Sequence, residues 1–195
     1  MRVISLYLAR GGQAMSIQIF ILSKLTERHL YPYQLKRYLS EPVPLGQLIN
    51  LTESKLYYHF EALRKHGLIE PVEVVKDDNR PEKQLFAITD IGRAQLSEKI
   101  YQLFDKAKNI SEMLIGLLCI HHVDRDKIIS ILKYKLVMME QKEGTFAKLH
   151  ASITHDSSKG AFGPFLANYH QQLRMHEIQS LKALIKQLKS DIKVH

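Results

Sequence analysis

The chain has one cysteine in 195 residues, no apolar run near the length of a bilayer span, no glycine-rich phosphate loop and no low-complexity tract. Each scarcity removes a class of function. Cys119 alone cannot close an internal disulfide, and a reducing compartment, the cytoplasm, suits such a chain. Its apolar setting points to an unreactive thiol. Apolar runs far short of the roughly 20 residues of a spanning helix argue for a soluble protein. No nucleophile elbow, paired carboxylates or cysteine cluster can be assembled, so no enzyme is expected. Ten histidines do not fill the gap. His121 and His122 are adjacent and diverge by about 100° on a helix, and His170 and His176 are badly phased, so neither a metal nor a cofactor is expected.

What is present is positive charge and a large apolar share. Lys and Arg number 28 against 20 Asp and Glu, a net charge of +8, which suits a polyanionic partner such as nucleic acid. Residues 1–99 carry 14 against 11 (+3) and residues 100–195 carry 14 against 9 (+5), so net charge does not locate a face. A hydrophobic content of 45% supplies the core of one domain, or of a small domain with a helical appendage. Residues 1–14, MRVISLYLARGGQA, have too little charge and apolar length for a signal peptide. They are expected to be a non-native or disordered extension, with Met15 as the start. Arg10-Gly11-Gly12 can be encoded by a purine-rich string of the kind that precedes a bacterial start codon; N-terminal sequencing of native protein beginning at Met1 would overturn this.

Apolar spacing predicts the elements. Ile17, Ile21, Leu22 and Leu25 share one face of a helix over residues 16–30, and a short helix follows Pro32, closed by Pro42 and Pro44. Residues 51–70 read LTESKLYYHFEALRKHGLIE. Thr52 is the expected N-cap, Leu56, Phe60 and Leu63 the buried stripe, and Gly67 the C-prime residue. Ser54, Tyr58 and Lys65 then point away from the stripe, with Lys55 on one flank and Tyr57 and Arg64 on the other. Val72, Val74 and Val75 pair with residues 85–88 as a hairpin whose charged tip is residues 76–83. Thr89 caps a long helix in which Leu96, Ile100, Leu103, Ala107, Ile110, Leu114 and Leu117 step by fours and threes, a helix-pairing seam. Two more helices, over about residues 125–148 and 165–193, flank a loop at 157–161.

Helix, helix, connector, helix and hairpin is the layout of a winged helix-turn-helix, with the third helix sized for a major groove. The expected fold is mainly α with a small β-hairpin wing: a DNA-binding domain over residues 15–90 and a C-terminal α-helical dimerisation and effector region over 91–195. Ser54, Lys55, Tyr58 and His59 are expected at base edges, and Tyr57, Arg64 and Lys65 at phosphates. Lys76, Arg80 and Lys83 bracket the wing tip, where adjacent phosphates or the minor groove are in reach, although Asp77 and Asp78 oppose this. Leu96, Ile100, Leu103, Ile110 and Leu114, with Leu173, Leu181, Ile185 and Leu188 of the last helix, are expected to pair two copies of the chain. Met138, Met139, Phe146, Phe162, Phe165 and Tyr169 are candidates for an aromatic-ligand cavity between those helices.

Leu51-Thr52-x-Ser54-x-Leu56-Tyr57, Leu63-x-x-x-Gly67-Leu68-Ile69 and Phe86-x-Ile88-Thr89-x-x-Gly92-Arg93-x-x-Leu96 resemble the PadR family of bacterial transcriptional regulators. Tyr33 matches a tyrosine common at the start of that family's second helix, and Tyr57 the tyrosine of its recognition helix. The resemblance covers about residues 17–100 and departs from the family at Glu53, Ser54 and Lys55, so the DNA sequence read differs. It implies a homodimer on a palindromic operator, usually a repressor, sometimes released by a small aromatic or antibiotic-like ligand, with Tyr33 added to the DNA-facing residues. Two readings compete with it: a winged-helix module that binds a protein and leaves DNA alone, and an enzyme whose site escapes the sequence.

Overall fold

A helix with apolar residues on one face only would be a surface helix, but over residues 16–25 the first helix is buried nearly all round. In the computed structural model, which describes residues 2–38, 52–77, 80–141 and 162–191, α1 spans Arg2–Glu27. Ile19 and Phe20 are buried along with Ile17, Ile21, Leu22 and Leu25, so α1 is the rod against which the helices Glu53–Lys65, Asp90–Lys106 and Ile110–Leu118 and the strand Arg80–Ile88 pack. Residues 2–14, expected as an extension, continue this helix without a break. Gly11 and Gly12 lower helix propensity by about 1 kcal/mol each, yet no proline or capping residue stops the chain there. The helix ends at Glu27 rather than at residue 30, because Leu30 leaves it to exchange both backbone hydrogen bonds with Phe86, each 3.1 Å.

α2 (Pro32–Tyr38) begins with proline at its first position, where the missing N–H costs nothing. Gln34 Oε1 accepts from the Tyr31 N–H at 2.9 Å, satisfying a donor just ahead of the helix. α3 (Glu53–Lys65) starts where Thr52 accepts the Lys55 N–H on its side chain, as the sequence predicts. It stops at Gly67, whose φ of 66° lies in the left-handed region. There the Leu68 N–H reaches Leu63 O and the Gly67 N–H reaches Arg64 O, a Schellman closure that uses two otherwise orphaned carbonyls.

The wing is an antiparallel pair, β1 (Ile69–Asp77) and β2 (Arg80–Ile88), with Ile69 opposite Ile88, Val75 opposite Lys83 and Asp77 opposite Arg80. Main-chain pairing therefore runs well into the polar stretch expected as a tip, because ladder hydrogen bonds do not need apolar side chains. Thr89 joins the wing to the next helix, α4 (Asp90–Lys106), and its hydroxyl is used twice. It donates to Gly67 O at 2.7 Å and accepts the Gly92 N–H at 3.0 Å. Thr89→Ala is expected to cost about 1 kcal/mol, and Thr89→Ser much less, in urea unfolding.

The expected seam from Leu96 to Leu117 is corrected in two respects. It is not one helix: Ala107 leaves helical geometry (φ −58°, ψ 135°), and Asn109 caps a new helix, α5 (Ile110–Leu118), by accepting the Glu112 N–H. Nor is its first part available to a second copy. Leu96, Ile100 and Leu103 are buried inside the chain, where α4 lies along α1, while Ile110 and Leu114 on α5 are half-buried. A 3₁₀ turn (Ile120–His122) follows, held by Ser97 Oγ donating to His122 O at 2.8 Å and by Ser23 Oγ within 2.9 Å of His122 Nε2. His121 and His122 thus stand in a turn and not on a helix, with ring centroids 4.0 Å apart.

The chain divides into two units, Met1–Asp124 and Arg125–His195. The second contains α6 (Arg125–Gln141) and α7 (Gly163–Asp191). Ile128, Ile129 and Leu132 on α6, and Ile178, Leu181, Ile185 and Leu188 on α7, are buried within the chain. Lys182 and Glu140 form an ion pair at 2.8 Å, and the Arg174 guanidinium donates to the Met139 carbonyl oxygen. Leu181, Ile185 and Leu188, expected at a subunit interface, are therefore already covered, and only Leu173 of that group is exposed. No helix among the described residues is long and apolar enough to cross a membrane.

Candidate nucleic-acid interface

The exposed side of α3 is fixed by what its other side must bury. Leu56, Phe60 and Leu63 are each 1% exposed and face α1, α2 and the wing, with the Phe60 ring 5.2 Å from that of Phe86. At about 100° per residue, the row opposite that stripe consists of Ser54, Tyr58, Glu61 and Lys65. All four are exposed, Tyr58 at 69%. Tyr57 and Arg64 are exposed on one flank, and Lys55 is half-buried on the other.

Two expected DNA contacts change character. His59, expected near base edges, is only 5% exposed, and its Nδ1 has no hydrogen-bond partner. Its angular phase, about 60° from Leu56, already put it inside the apolar stripe; its place beside Tyr58 in the chain disguised this. Arg64, expected at a phosphate, is engaged in the free protein: its Nε and a terminal nitrogen both donate to Glu61 Oε2, at 3.2 and 2.8 Å. Such an exposed pair contributes about 0–1 kcal/mol and uses one N–H on each of two nitrogens, so the remaining guanidinium N–H groups can meet a phosphate while the pair persists. Glu61 is the residue the sequence reading passed over, and the same phase count would have found it.

Tyr33 is exposed and stacks on Tyr31, with centroids 5.6 Å apart and rings 20° from parallel. The side chains of Lys76, Arg80 and Lys83 lie outside the described residues, as does Phe146. Phe162, Phe165 and Tyr169 of the expected ligand cavity are exposed, and Met138 and Met139 are half-buried. Among the described residues no three His, Cys, Asp or Glu side chains come together as a metal site requires. Burial pushes the Cys119 thiol up.

His59 is held below the usual histidine value of 6.5, first by burial and then by the Lys55 charge; His122 is lowered too, first by burial and then by His121. A lowered folded-state value means that the unfolded chain binds the proton more readily. The stability these neutral rings contribute is complete above pH 6.5 and is lost as pH falls below it. Urea unfolding followed from about pH 7 to about pH 5 should show falling stability, and His59→Gln should fall less steeply. Equal slopes would exclude His59 as a contributor.

Residues 21–98 match the model of the transcriptional regulator PadR-like family. No curated protein matches the chain. Among solved structures, Bacillus subtilis PadR in complex with operator DNA is 18% identical, with 88% of this chain and 98% of that chain covered and a TM-score of 0.37. The smu.1604c protein of Streptococcus mutans UA159 is 21% identical, covering 90% and 98% respectively, at a TM-score of 0.39. Bacillus subtilis PadR in complex with p-coumaric acid is 16% identical, covering 90% and 97%, at 0.36. At these TM-scores the likeness decides nothing about this chain. The family match runs from α1 through α3 and the wing into α4, so it is over this stretch, residues 21–98, that the chain is similar to the transcriptional regulator PadR-like family.

Proposed function

We propose that the chain is a homodimeric repressor that lays α3 in the major groove of a palindromic operator. The observation that carries this is the outward row of α3. Ser54, Tyr58 and Lys65 offer hydrogen-bonding and cationic groups on a helix whose opposite side is anchored by Leu56, Phe60 and Leu63. Ser54, Lys55 and Tyr58 meet base edges; Tyr57, Arg64, Lys65 and Tyr33 meet phosphates and set the register. Lys76, Arg80 and Lys83 serve the wing. The protein works in the cytoplasm, where the DNA is, and performs no chemistry.

Dimerisation is supported by a different surface from the one the heptad spacing suggests. Phe165, Leu166, Tyr169 and Leu173 are exposed along the first half of α7, with Phe162 exposed just before it, an apolar and aromatic surface that the described residues leave uncovered. A small aromatic ligand settling among such rings is the proposed releasing signal.

The test is binding to duplex DNA from upstream of the protein's own gene across a salt series. Each phosphate neutralised should steepen the salt dependence by about 0.9. Tyr58→Ala and Lys55→Ala should each weaken operator binding by about tenfold and random-duplex binding by much less. An equal loss on both duplexes would contradict base readout, and no binding even in dilute buffer would favour a protein-binding module instead.

A further inference from the structure

We infer that Glu61 is a specificity-determining residue of α3, its carboxylate accepting the exocyclic amino group of a cytosine in the major groove while Arg64 holds it in place. This rests on the proposed entry of α3 into that groove. Glu61 lies on the outermost row of the helix, one turn after Tyr58 and one turn before Lys65, and it is exposed. It stands eight residues into the helix, about 12 Å along the axis, within reach of the groove floor if Ser54 and Tyr58 are. A carboxylate there faces the charge of two phosphate chains. Beyond the Arg64 guanidinium, a hydrogen-bond donor on a base edge compensates it, and the cytosine N4 amino group is the donor with which a carboxylate pairs in the major groove.

The geometry of the pair with Arg64 suits that role. One carboxylate oxygen, Oε2, takes both guanidinium N–H groups, which leaves Oε1 able to accept from a base. The guanidinium, on the flank toward Tyr57, offsets the negative charge and fixes the rotamer. The acid also lowers affinity for any duplex that lacks the amino group at that position, so it separates the operator from bulk DNA by penalising the wrong sites.

The experiment selects binding duplexes from a random pool with wild-type protein, Glu61→Gln and Glu61→Ala, and measures affinity for one unrelated duplex at about 100 mM salt. Glu61 is exposed, so the fold should tolerate both substitutions. The wild type should select cytosine at one symmetry-related position per half-site. E61A should lose the preference there alone, and E61Q should move it toward adenine, with which an amide pairs through both N6 and N7. Both variants should bind the unrelated duplex several-fold more tightly. The inference is overturned if wild type and both variants select the same sequence, or if non-specific affinity rises with base preference unchanged at every position. A wild type that selects no sequence at all would instead overturn the placement of α3 in the groove.

Discussion

Replacing Phe60 by alanine is expected to cost the first unit about 3–5 kcal/mol and, on the proposed function, to abolish operator binding with it. The ring is 1% exposed and sits where three elements meet. It projects from α3 onto Phe86 of β2, and Phe86 is itself held to Leu30 by a hydrogen bond in each direction. Removing the ring leaves a cavity that neither the wing nor α1 can close without breaking that bridge, so relaxation is limited and the cost stays near the upper part of the range. Tyr58→Ala is the control that separates anchoring from reading. Tyr58 is exposed, so its loss should change stability by no more than about 0.5 kcal/mol while still weakening operator binding. Denaturant unfolding and duplex titration on the same preparations decide the matter. A Phe60→Ala protein within about 1 kcal/mol of wild type would mean that α3 is held by something other than its apolar stripe.

The contrast between Phe60 and Tyr58 also explains which parts of the molecule the sequence discloses. α3 was legible from end to end because its signals are local: a threonine whose side chain takes a free N–H, apolar residues every three to four positions, and a glycine at the one site where φ is positive. The same count of phase would have put His59 inside and Glu61 outside, so both were readable and hidden only by attention to neighbours in the chain. The helix seam is a different matter. Leu96 through Leu117 keeps its spacing across Ala107, and whether such a stripe meets a second copy or folds back depends on α1, which lies along α4 and whose Gln18 accepts a hydrogen bond from Lys99, 81 residues along the chain. No local rule carries that information. Leu30 is similar, since its pairing with Phe86 is made 56 residues along the chain and its apolar character fits helix and bridge equally well. The exposed side of α7 was legible only in part, because the residues predicted to face a partner, Leu181, Ile185 and Leu188, continue the same amphipathic pattern as those that are uncovered.

Gly92→Ala should be the most damaging single-methyl change in the first unit, at about 1–3 kcal/mol or somewhat more. The reason is contact and not backbone conformation. A Cβ on Gly92 would stand 2.0 Å from the Leu68 carbonyl oxygen and 2.8 Å from Ile88 Cγ1. Leu68 is fixed on both sides: its carbonyl accepts the Thr89 N–H, and its own N–H closes the end of α3 on Leu63. A methyl group therefore has to push the first turn of α4 away from the end of α3, and with it the hydroxyl of Thr89 from Gly67. Gly116→Ala supplies the comparison. Its Cβ would meet Phe104 Cε2 at 2.7 Å, but the obstacle is side chain and not a hydrogen-bonded backbone carbonyl at 2.0 Å, so a smaller shift relieves it and the loss should be smaller even though the two substitutions are chemically identical. Both changes gain up to about 1 kcal/mol of helix propensity, which sets the bar the clash must exceed. Unfolding in urea should rank Gly92→Ala clearly below Gly116→Ala. Equal stabilities, or a stabilised Gly92→Ala, would mean that α4 stands farther from Leu68 than these distances require, and the coupling of α3 to the rest of the unit would then run through its buried stripe of Leu56, Phe60 and Leu63.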